Sequence, residues 1–267
     1  MNDIDAMKAT NAAGEPLVLS HIAEGIATLT LNRPEARNAL NWATCKQMIA
    51  AVRAADRNHD VRILVFRANG PVFCAGADVK ERDGVTADWL RDRRLLGFET
   101  YDTVEACNKP AVCIAHGPVI GSGWGIAMTC DVIVASERAS FRLPEAVRGT
   151  VGATQHLPRM VGKAMAKEIL FTGRVVEADE ALRIGMVNHV VPEAELEATA
   201  QKIIAAIKAS FPLSVKLMKQ CINVGMEADV RTGMAYERMA IDVCLAGDEW
   251  RRAISRFVSG ETKRAPS

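Results

Sequence analysis

The sequence lacks an excess of charge, a long apolar run and paired cysteines. Its formal net charge is only +1 over 267 residues, so no overall field attracts nucleic acid or an anionic membrane. No apolar run reaches the roughly 18–20 residues of a membrane helix, and the polar residues 1–15 hold no apolar core of signal-peptide length. The seven cysteines include no CxxC pair and mostly lie in apolar runs, which favours a reducing cytoplasm. These absences predict a cytoplasmic protein that binds a small molecule, with neither nucleic acid nor membrane as a partner.

Several catalytic signatures are missing as well. No group of His, Cys and carboxylate residues has metal-ligand spacing, and no serine lies in a nucleophile elbow. The glycines at 117, 121, 123 and 125 do not form the GxGxxG spacing of a dinucleotide site. The sequence therefore predicts no metal, no acyl-enzyme intermediate and no nucleotide fold.

Hydrophobic periodicity predicts an α/β architecture, because strand-like and helix-like segments alternate over most of the chain. Beyond residue 193 only helical periodicity remains. The predicted elements are strands at 17–21 and 26–31 forming a hairpin, a helix at 38–57, a strand at 61–66, a helix at 86–107, a strand at 111–115, a helix after the glycine-rich turn, a strand at 132–135, and helices at 196–207, 214–226, 231–246 and 249–258.

Two segments of small residues follow predicted strands. Residues 73–81 (FCAGADVKE) come after a Gly70-Pro71 turn and are expected to open a helix that Asp78 could cap, although such a turn is often only packing. Residues 116–131 form a second strand-to-helix junction. The first N–H groups of a helix have no intrahelical partner, and two such donors converging on one carbonyl oxygen make an oxyanion hole.

Four motifs occur together in one order: residues 31–40 (LNRPEARNAL), 73–81, 117–131 and 171–174 (FTGR). With them the chain resembles the crotonase family of enoyl-CoA hydratases and isomerases from about residue 17 to 257. The resemblance implies an α/β spiral of ββα units over 15–205 and a helical oligomerisation region over 206–267. It also implies a homotrimer or a hexamer made of two trimers. The implied partner is an acyl-CoA thioester, so coenzyme A enters as part of the substrate and no cofactor stays bound.

The same resemblance assigns the oxyanion hole to the backbone N–H groups of Ala77 and Ser122. Serine replaces the usual glycine at 122, so the local backbone conformation decides whether that donor survives. The segment from Ala75 to Lys80 is expected to line the path of coenzyme A. Its expected contacts are Ala75, Ala77, Asp78, Val79 and Lys80, with Arg33 and Lys80 near the phosphates.

Hydratases of this family use two glutamates around a water molecule. The position of the first is occupied by Gly125, which is expected to enlarge the pocket. Trp124 is a candidate wall of that pocket, although a buried tryptophan is most often part of the core. The second matches Glu145 in residues 141–146 (FRLPEA), a position that outside the family context is typical of a surface carboxylate. Residues 149–155 form a shorter loop than the family's, which leaves the acyl group open. His116 and His156 receive no role.

These residues predict an enzyme that stabilises a thioester enolate with Glu145 as its single side-chain acid and base. One base suffices to move a double bond, so an enoyl-CoA isomerase or a variant hydratase is expected. Two alternatives stay open: a hydratase-lyase acting on aromatic or branched enoyl-CoA, and a catalytically silent acyl-CoA-binding homologue.

Overall fold

The computed structural model describes residues 3–259. Contacts divide the chain into two compact units, Met1–Ala205 and Ala206–Ser267. The helices of the described part are α1 (Asp3–Lys8), α2 (Trp42–Arg57), α3 (Ala87–Glu105), α4 (Ser122–Met128), α5 (His156–Val161), α6 (Lys163–Thr172), α7 (Ala178–Arg183), α8 (Leu196–Ala209), α9 (Pro212–Glu227), α10 (Val230–Ala246) and α11 (Glu249–Val258). The strands are β1 (Val18–Ala23), β2 (Ile26–Leu31), β3 (Ile63–Ala68), β4 (Ala111–Ala115), β5 (Val119–Ile120), β6 (Val132–Ser136), β7 (Ser140–Arg142), β8 (Val175–Glu177) and β9 (His189–Val191).

A six-stranded sheet forms the centre of the first unit, in the order β1-β2-β3-β4-β6-β9. The hairpin β1–β2 is antiparallel and every later pair is parallel, because a helix connects β2 to β3 and β3 to β4. All five residues of β4 are buried, as expected for a parallel strand covered on both faces. The alternation expected from the sequence is therefore present in the fold.

A smaller sheet, β5-β7-β8, carries the segments that lead to the site. Strand β5 runs parallel to β7 and is followed directly by α4, while β7 pairs antiparallel with β8. These short strands are absent from the elements that periodicity predicts. Their pairing places the start of α4 and the chain just after β7 side by side.

The core of the first unit contains Trp124, which is fully buried. Its ring meets Phe141 edge to face, with the centroids 5.5 Å apart. Such a pair stabilises the interior beyond the area it buries. Trp124 is thus a core residue, and the expectation that it forms a wall of the substrate pocket is wrong.

The polar N-terminal residues also belong to folded structure. Ala6 in α1 is fully buried, and Gln47 Nε2 in α2 donates to the carbonyl oxygens of Ala6 at 3.0 Å and Ala9 at 2.8 Å. Gln47 Oε1 accepts from the N–H groups of Leu17 and Val18. This buried amide holds residues ahead of the first strand against α2.

In the second unit, α9 and α10 pack against each other, and Gly225 and Gly233 meet at their contact. A Cβ built on Gly233 would lie 3.3 Å from the Gly225 Cα, so glycine permits the close approach. Asp229 caps α10 by accepting from the N–H groups of Arg231 and Thr232. No helix between residues 3 and 259 is both long and apolar enough to cross a membrane.

Candidate active site

Ala77 lies in an extended segment that pairs with Leu40. The Leu40 N–H donates to Gly76 O at 2.8 Å, and the Asp78 N–H donates to Leu40 O at 2.9 Å. Those bonds leave the Ala77 N–H on the opposite side of the segment, where it donates to no other residue within 3–259. The prediction that residues 73–81 open an α-helix is wrong: only a 3₁₀ turn follows, Lys80–Arg82, and α3 begins at Ala87. The Ala77 donor thus has no helix dipole behind it.

Ser122 is the first residue of α4, so its N–H has no intrahelical acceptor. The sharp turn into the helix is made by Gly121, with φ 49° and ψ −112°, a conformation that favours glycine. Ser122 itself has helical backbone, and a side chain is tolerated there. The replacement of glycine by serine at 122 is therefore compatible with a backbone donor.

The two segments meet at Gly76, directly before Ala77. A Cβ built on Gly76 would lie 3.0 Å from Ile120 O and 3.6 Å from Ser122 N. The Ile120 N–H also donates to Cys74 O at 2.9 Å, which joins the two chains. Ala77 and Ser122 are each half-buried and follow a glycine with positive φ. The fold therefore brings the two expected oxyanion donors to neighbouring backbone, both without a protein acceptor in the described chain.

Glu145 lies just after β7 and reaches the same place. A Cβ on Gly121 would be 3.2 Å from Glu145 Oε1, and a Cβ on Gly152 would be 2.9 Å from Glu145 Cγ. Two glycines, one directly before α4 and one from the loop 149–155, thus make room for this carboxylate. The loop therefore packs against Glu145, a contact that no sequence pattern indicates.

The Glu145 carboxylate is incompletely paired. Its Oε2 is buried and has no hydrogen-bond partner among the described residues. Burial raises the pKa of Glu145, and the opposing effects of its own backbone N–H and of the positive charge of Arg148 do not cancel that rise. A carboxyl group with a raised pKa, beside the residue that precedes the Ser122 N–H, is suited to exchange a proton with a bound thioester.

Gly125 faces a tyrosine that lies outside the sequence motifs. A Cβ on Gly125 would lie 2.6 Å from both Cε1 and Cζ of Tyr101, a residue of α3. The expectation that Gly125 enlarges the pocket is therefore wrong, because the Tyr101 ring fills that space. No motif indicates this contact, since it joins residues far apart in the sequence.

The segment expected to line the coenzyme A path is partly engaged in protein contacts. Arg33 Nη1 forms a 2.5 Å ion pair with Asp78 and donates to Ala39 O at 3.2 Å. Asp78 Oδ1 accepts from the Lys80 N–H at 3.0 Å and so caps the following turn, as its position suggested. Arg33, through its Nη2 and Nε, and the exposed Lys80 and Val79 stay candidates for coenzyme A contact.

A buried ion pair holds the same segment from α3. Arg93 Nε lies 2.5 Å from Glu81 Oε1, and Arg93 Nη2 lies 2.5 Å from Leu40 O. Glu81 Oε2 also accepts from the Trp42 N–H at 2.8 Å. Arg93 is only 2% exposed, so this pair fixes Leu40, the partner of Ala77, from inside the protein.

The histidines lie in other contacts. His116 Nε2 donates to Gly70 O at 2.7 Å, which is a structural bond, and His156 Nε2 lies 3.4 Å from a Glu105 carboxylate oxygen. Two surface pockets, of about 240 Å³ near His21 and Arg67 and about 330 Å³ between α2 and α3, contain none of the expected site residues. The candidate site is defined by the neighbouring Ala77 and Ser122 N–H groups and the Glu145 carboxylate, because an oxyanion hole depends on donor geometry.

Comparison with known proteins identifies the family of this chain. The family model for enoyl-CoA hydratase/isomerase matches residues 21–266. A short-chain-enoyl-CoA hydratase of Clostridium acetobutylicum is 38% identical over 87% of this chain and 91% of its own, and a crotonyl-CoA hydratase of Syntrophomonas wolfei is 37% identical over 88% and 92%. The crystal structure of an enoyl-CoA hydratase from Bacillus anthracis superposes with a TM-score of 0.88 at 29% identity, covering 91% of this chain and 96% of that one. With the fold, the motifs and these relatives in agreement, the chain belongs to the enoyl-CoA hydratase/isomerase family, the crotonases.

Proposed function

We propose that this protein converts enoyl-CoA thioesters by proton transfer through a single carboxylate, Glu145. The observation that carries the proposal is the position of that carboxylate beside Gly121, the residue directly before Ser122, with one buried oxygen left without a partner among the described residues. The N–H groups of Ala77 and Ser122 are the proposed donors to the thioester oxygen. Removal of one such donor typically raises a barrier by about 3–4 kcal/mol, so a pair of them makes enolate formation accessible.

The favoured reaction is double-bond isomerisation of a 3-enoyl thioester. The Glu145 carboxylate takes a proton from the carbon next to the thioester carbonyl, and the negative charge moves to the oxygen held by the two N–H groups. The conjugated enolate then collapses as Glu145 returns the proton to the γ carbon, giving the 2-enoyl product. One base serves both steps, so the absence of a carboxylate at Gly125 is no obstacle.

Hydration is the second candidate, because the relatives from Clostridium acetobutylicum and Syntrophomonas wolfei are named as hydratases. In that reaction Glu145 would take a proton from the water that attacks the β carbon and would return a proton to the α carbon, without a second glutamate. The other nearby carboxylates, Asp78 and Glu81, are held in ion pairs with Arg33 and Arg93. Short acyl groups are the first substrates to test, since one relative is named for short-chain and one for crotonyl thioesters.

The test is a panel of 3-enoyl, 2-enoyl, branched and aromatic enoyl-CoA thioesters assayed with the wild type and with Glu145→Gln. We expect turnover by the wild type, and a loss of at least about a hundredfold in kcat for the variant with binding retained. Glu137→Gln, which changes an exposed glutamate, is the matched control and keeps full activity. Binding without turnover across the panel would instead identify a silent acyl-CoA-binding homologue. Turnover of an aromatic substrate would favour the hydratase-lyase alternative.

We further propose that the protein assembles as a homotrimer or as a pair of trimers, with the unit 206–267 providing contacts. Support comes from the exposed apolar side chains that its helices carry. No lasting cofactor is needed in this proposal, because coenzyme A arrives and leaves with the acyl group.

A further inference from the structure

Tyr101 occupies a place on α4 that a side chain at position 125 would otherwise take. A Cβ built on Gly125 would lie 2.6 Å from both Cε1 and Cζ of the ring, far shorter than any van der Waals contact, and 3.0 Å from Cδ1. The ring and the missing side chain therefore exclude each other. Any residue larger than glycine at 125 requires the tyrosine to leave.

The ring and the Glu145 carboxylate both lie at the N-terminal turn of α4. Gly121, which touches Glu145 Oε1, and Gly125, which touches Tyr101, are one helical turn apart and joined by a Gly125 N–H bond to Gly121 O of 3.2 Å. The carboxylate therefore contacts the residue just before Ser122, and the ring contacts the residue three positions after it. A group that is held by the Ser122 N–H and extends past Glu145 along α4 thus comes within one helical turn of the Tyr101 ring.

The ring is held in place by its own helix and by the core. Phe98, one turn earlier in α3, meets it edge to face with centroids 6.3 Å apart. Tyr101 also packs against the buried hydrophobic cluster. Burial raises the pKa of Tyr101 well above its ordinary value, and the opposing effect of the Ser122 side chain does not cancel that rise. The phenol stays neutral, so it cannot replace a carboxylate as a base near neutral pH.

We propose that Tyr101 is a specificity-determining residue, whose ring forms the wall that limits the acyl group to short, unbranched chains beside Glu145. This inference rests on the proposed function for the site but concerns the shape of the acyl subsite and not the proton transfer. The same ring explains why position 125 holds glycine, because the Tyr101 ring occupies the space that the side chain of a first glutamate would need.

The test compares three proteins, the wild type and two variants, on a short linear and a branched enoyl-CoA of equal oxidation level. Tyr101→Ala removes the wall, and we expect the ratio of kcat/KM for branched over linear substrate to rise about tenfold or more. Tyr101→Phe keeps the ring and is the matched control, with the ratio unchanged. An unchanged ratio in Tyr101→Ala, or an equal change in both variants, overturns the proposal.

A pair of substitutions tests the mutual exclusion independently. Gly125→Ala alone is expected to reduce activity and thermal stability, because its Cβ collides with the ring. The double variant Gly125→Ala with Tyr101→Ala is expected to recover the stability lost by Gly125→Ala. Additive losses in the double variant would show that the two positions do not share one space.

Failure of the proposed function is separable from failure of this inference. If the wild type turns over no thioester, the same ratio is measured as equilibrium Kd values for crotonyl-CoA and a branched acyl-CoA by calorimetry. A gain in affinity for the branched ligand alone in Tyr101→Ala supports the proposal that the ring limits the acyl group. Equal Kd changes for both ligands reject it.

Discussion

At the scale of single residues, glycines control the geometry around Glu145. Gly76 and Gly121 have positive φ values of 97° and 49° and each precedes one of the two backbone donors. This backbone conformation costs other residues energy. Glycine at both positions therefore permits the turns after which the Ala77 and Ser122 N–H groups have no acceptor in the described chain. The tolerance for serine at 122 has the same cause, because the unusual dihedral angles belong to the preceding residue.

Gly152→Ala should impair catalysis more than folding. A Cβ there would lie 2.9 Å from Glu145 Cγ, so the carboxylate must move. A displacement of about 1 Å in a reacting group can cost about a hundredfold in rate, and we expect a kcat loss of that order with the melting temperature nearly unchanged. Gly247→Ala, whose Cβ has only an ordinary 3.6 Å contact, is the control with full activity. Normal kcat in Gly152→Ala would show that the loop does not position Glu145.

The raised pKa of Glu145 predicts two pH effects. As a base it must be ionised, so kcat should fall with decreasing pH at a higher pH than for an ordinary carboxyl. A group whose pKa is higher in the folded state stabilises the fold below its unfolded pKa, and that contribution is lost as the pH rises through the folded pKa. Ionised Glu145 thus opposes folding at neutral pH.

Glu145→Gln removes this titration. Relative to the variant, the wild type should gain free energy of unfolding as the pH falls from about 7 to about 4, the range that brackets an ordinary and a raised carboxyl pKa. Urea denaturation of both proteins across that range measures the difference. A constant difference would mean that Glu145 titrates equally in the folded and unfolded states.

At the scale of elements, the segment 73–81 shows where local pattern misleads. Its small residues after a strand suggested a helix start, yet it forms no α-helix and its Ala77 pairs with Leu40. The pairing is held by Arg93 of α3, which donates to Leu40 O and binds Glu81. A tertiary ion pair therefore outweighs the local preference, and it acts through residues that the sequence pattern did not connect.

Arg93→Met should be strongly destabilising. It leaves Glu81 and Leu40 O without their buried partner, and the loss of one member of such a pair typically costs about 3 kcal/mol or more. Adding Glu81→Gln, which removes the orphaned charge but still accepts from the Trp42 N–H, should recover part of that loss. Denaturant titration of the two single variants and the double variant gives the coupling free energy between Arg93 and Glu81. Strictly additive losses would contradict a direct pair.

The long elements were predictable and the short ones were not. The helices at 87–105 and 212–227 and the strand Ala111–Ala115 follow from periodicity, because many residues contribute to each pattern. Strands β8 and β9 and the six-residue helices α5 and α7 are too short to carry a clear period, whereas the ten-residue α6 was missed although α11, of the same length, was predicted. The short elements form because neighbouring strands and turns supply their hydrogen bonds and bury their apolar side chains.

At the scale of the whole molecule, the second unit carries an apolar stripe. Met218, Ile222 and Met226 recur every four residues of α9 and are 64%, 63% and 61% exposed. Side chains at this spacing lie on one helix face. Exposed apolar faces of this kind mark contact surfaces, which supports the proposed assembly through this unit.

Ile222→Lys places a charge in the middle of that stripe. We expect the molar mass measured by light scattering to fall toward that of one 28.9 kDa chain, because burying an unpaired ammonium group is unfavourable. Asn223→Lys adds the same charge to the next residue, which points elsewhere on the helix, and should leave the mass unchanged. Equal masses for the wild type and Ile222→Lys would place the contacts on another surface.

The sequence by itself determined the family, the α/β alternation and the C-terminal helices, and it supplied the proposal of Ala77, Ser122 and Glu145 as site residues, because these depend on motifs and periods local to the chain. Tertiary structure alone decided what surrounds Glu145. Gly152 makes room for its carboxylate, and the Tyr101 ring fills the space over Gly125. Such contacts join residues that are distant along the chain, and van der Waals exclusion acts only between atoms that folding has brought together.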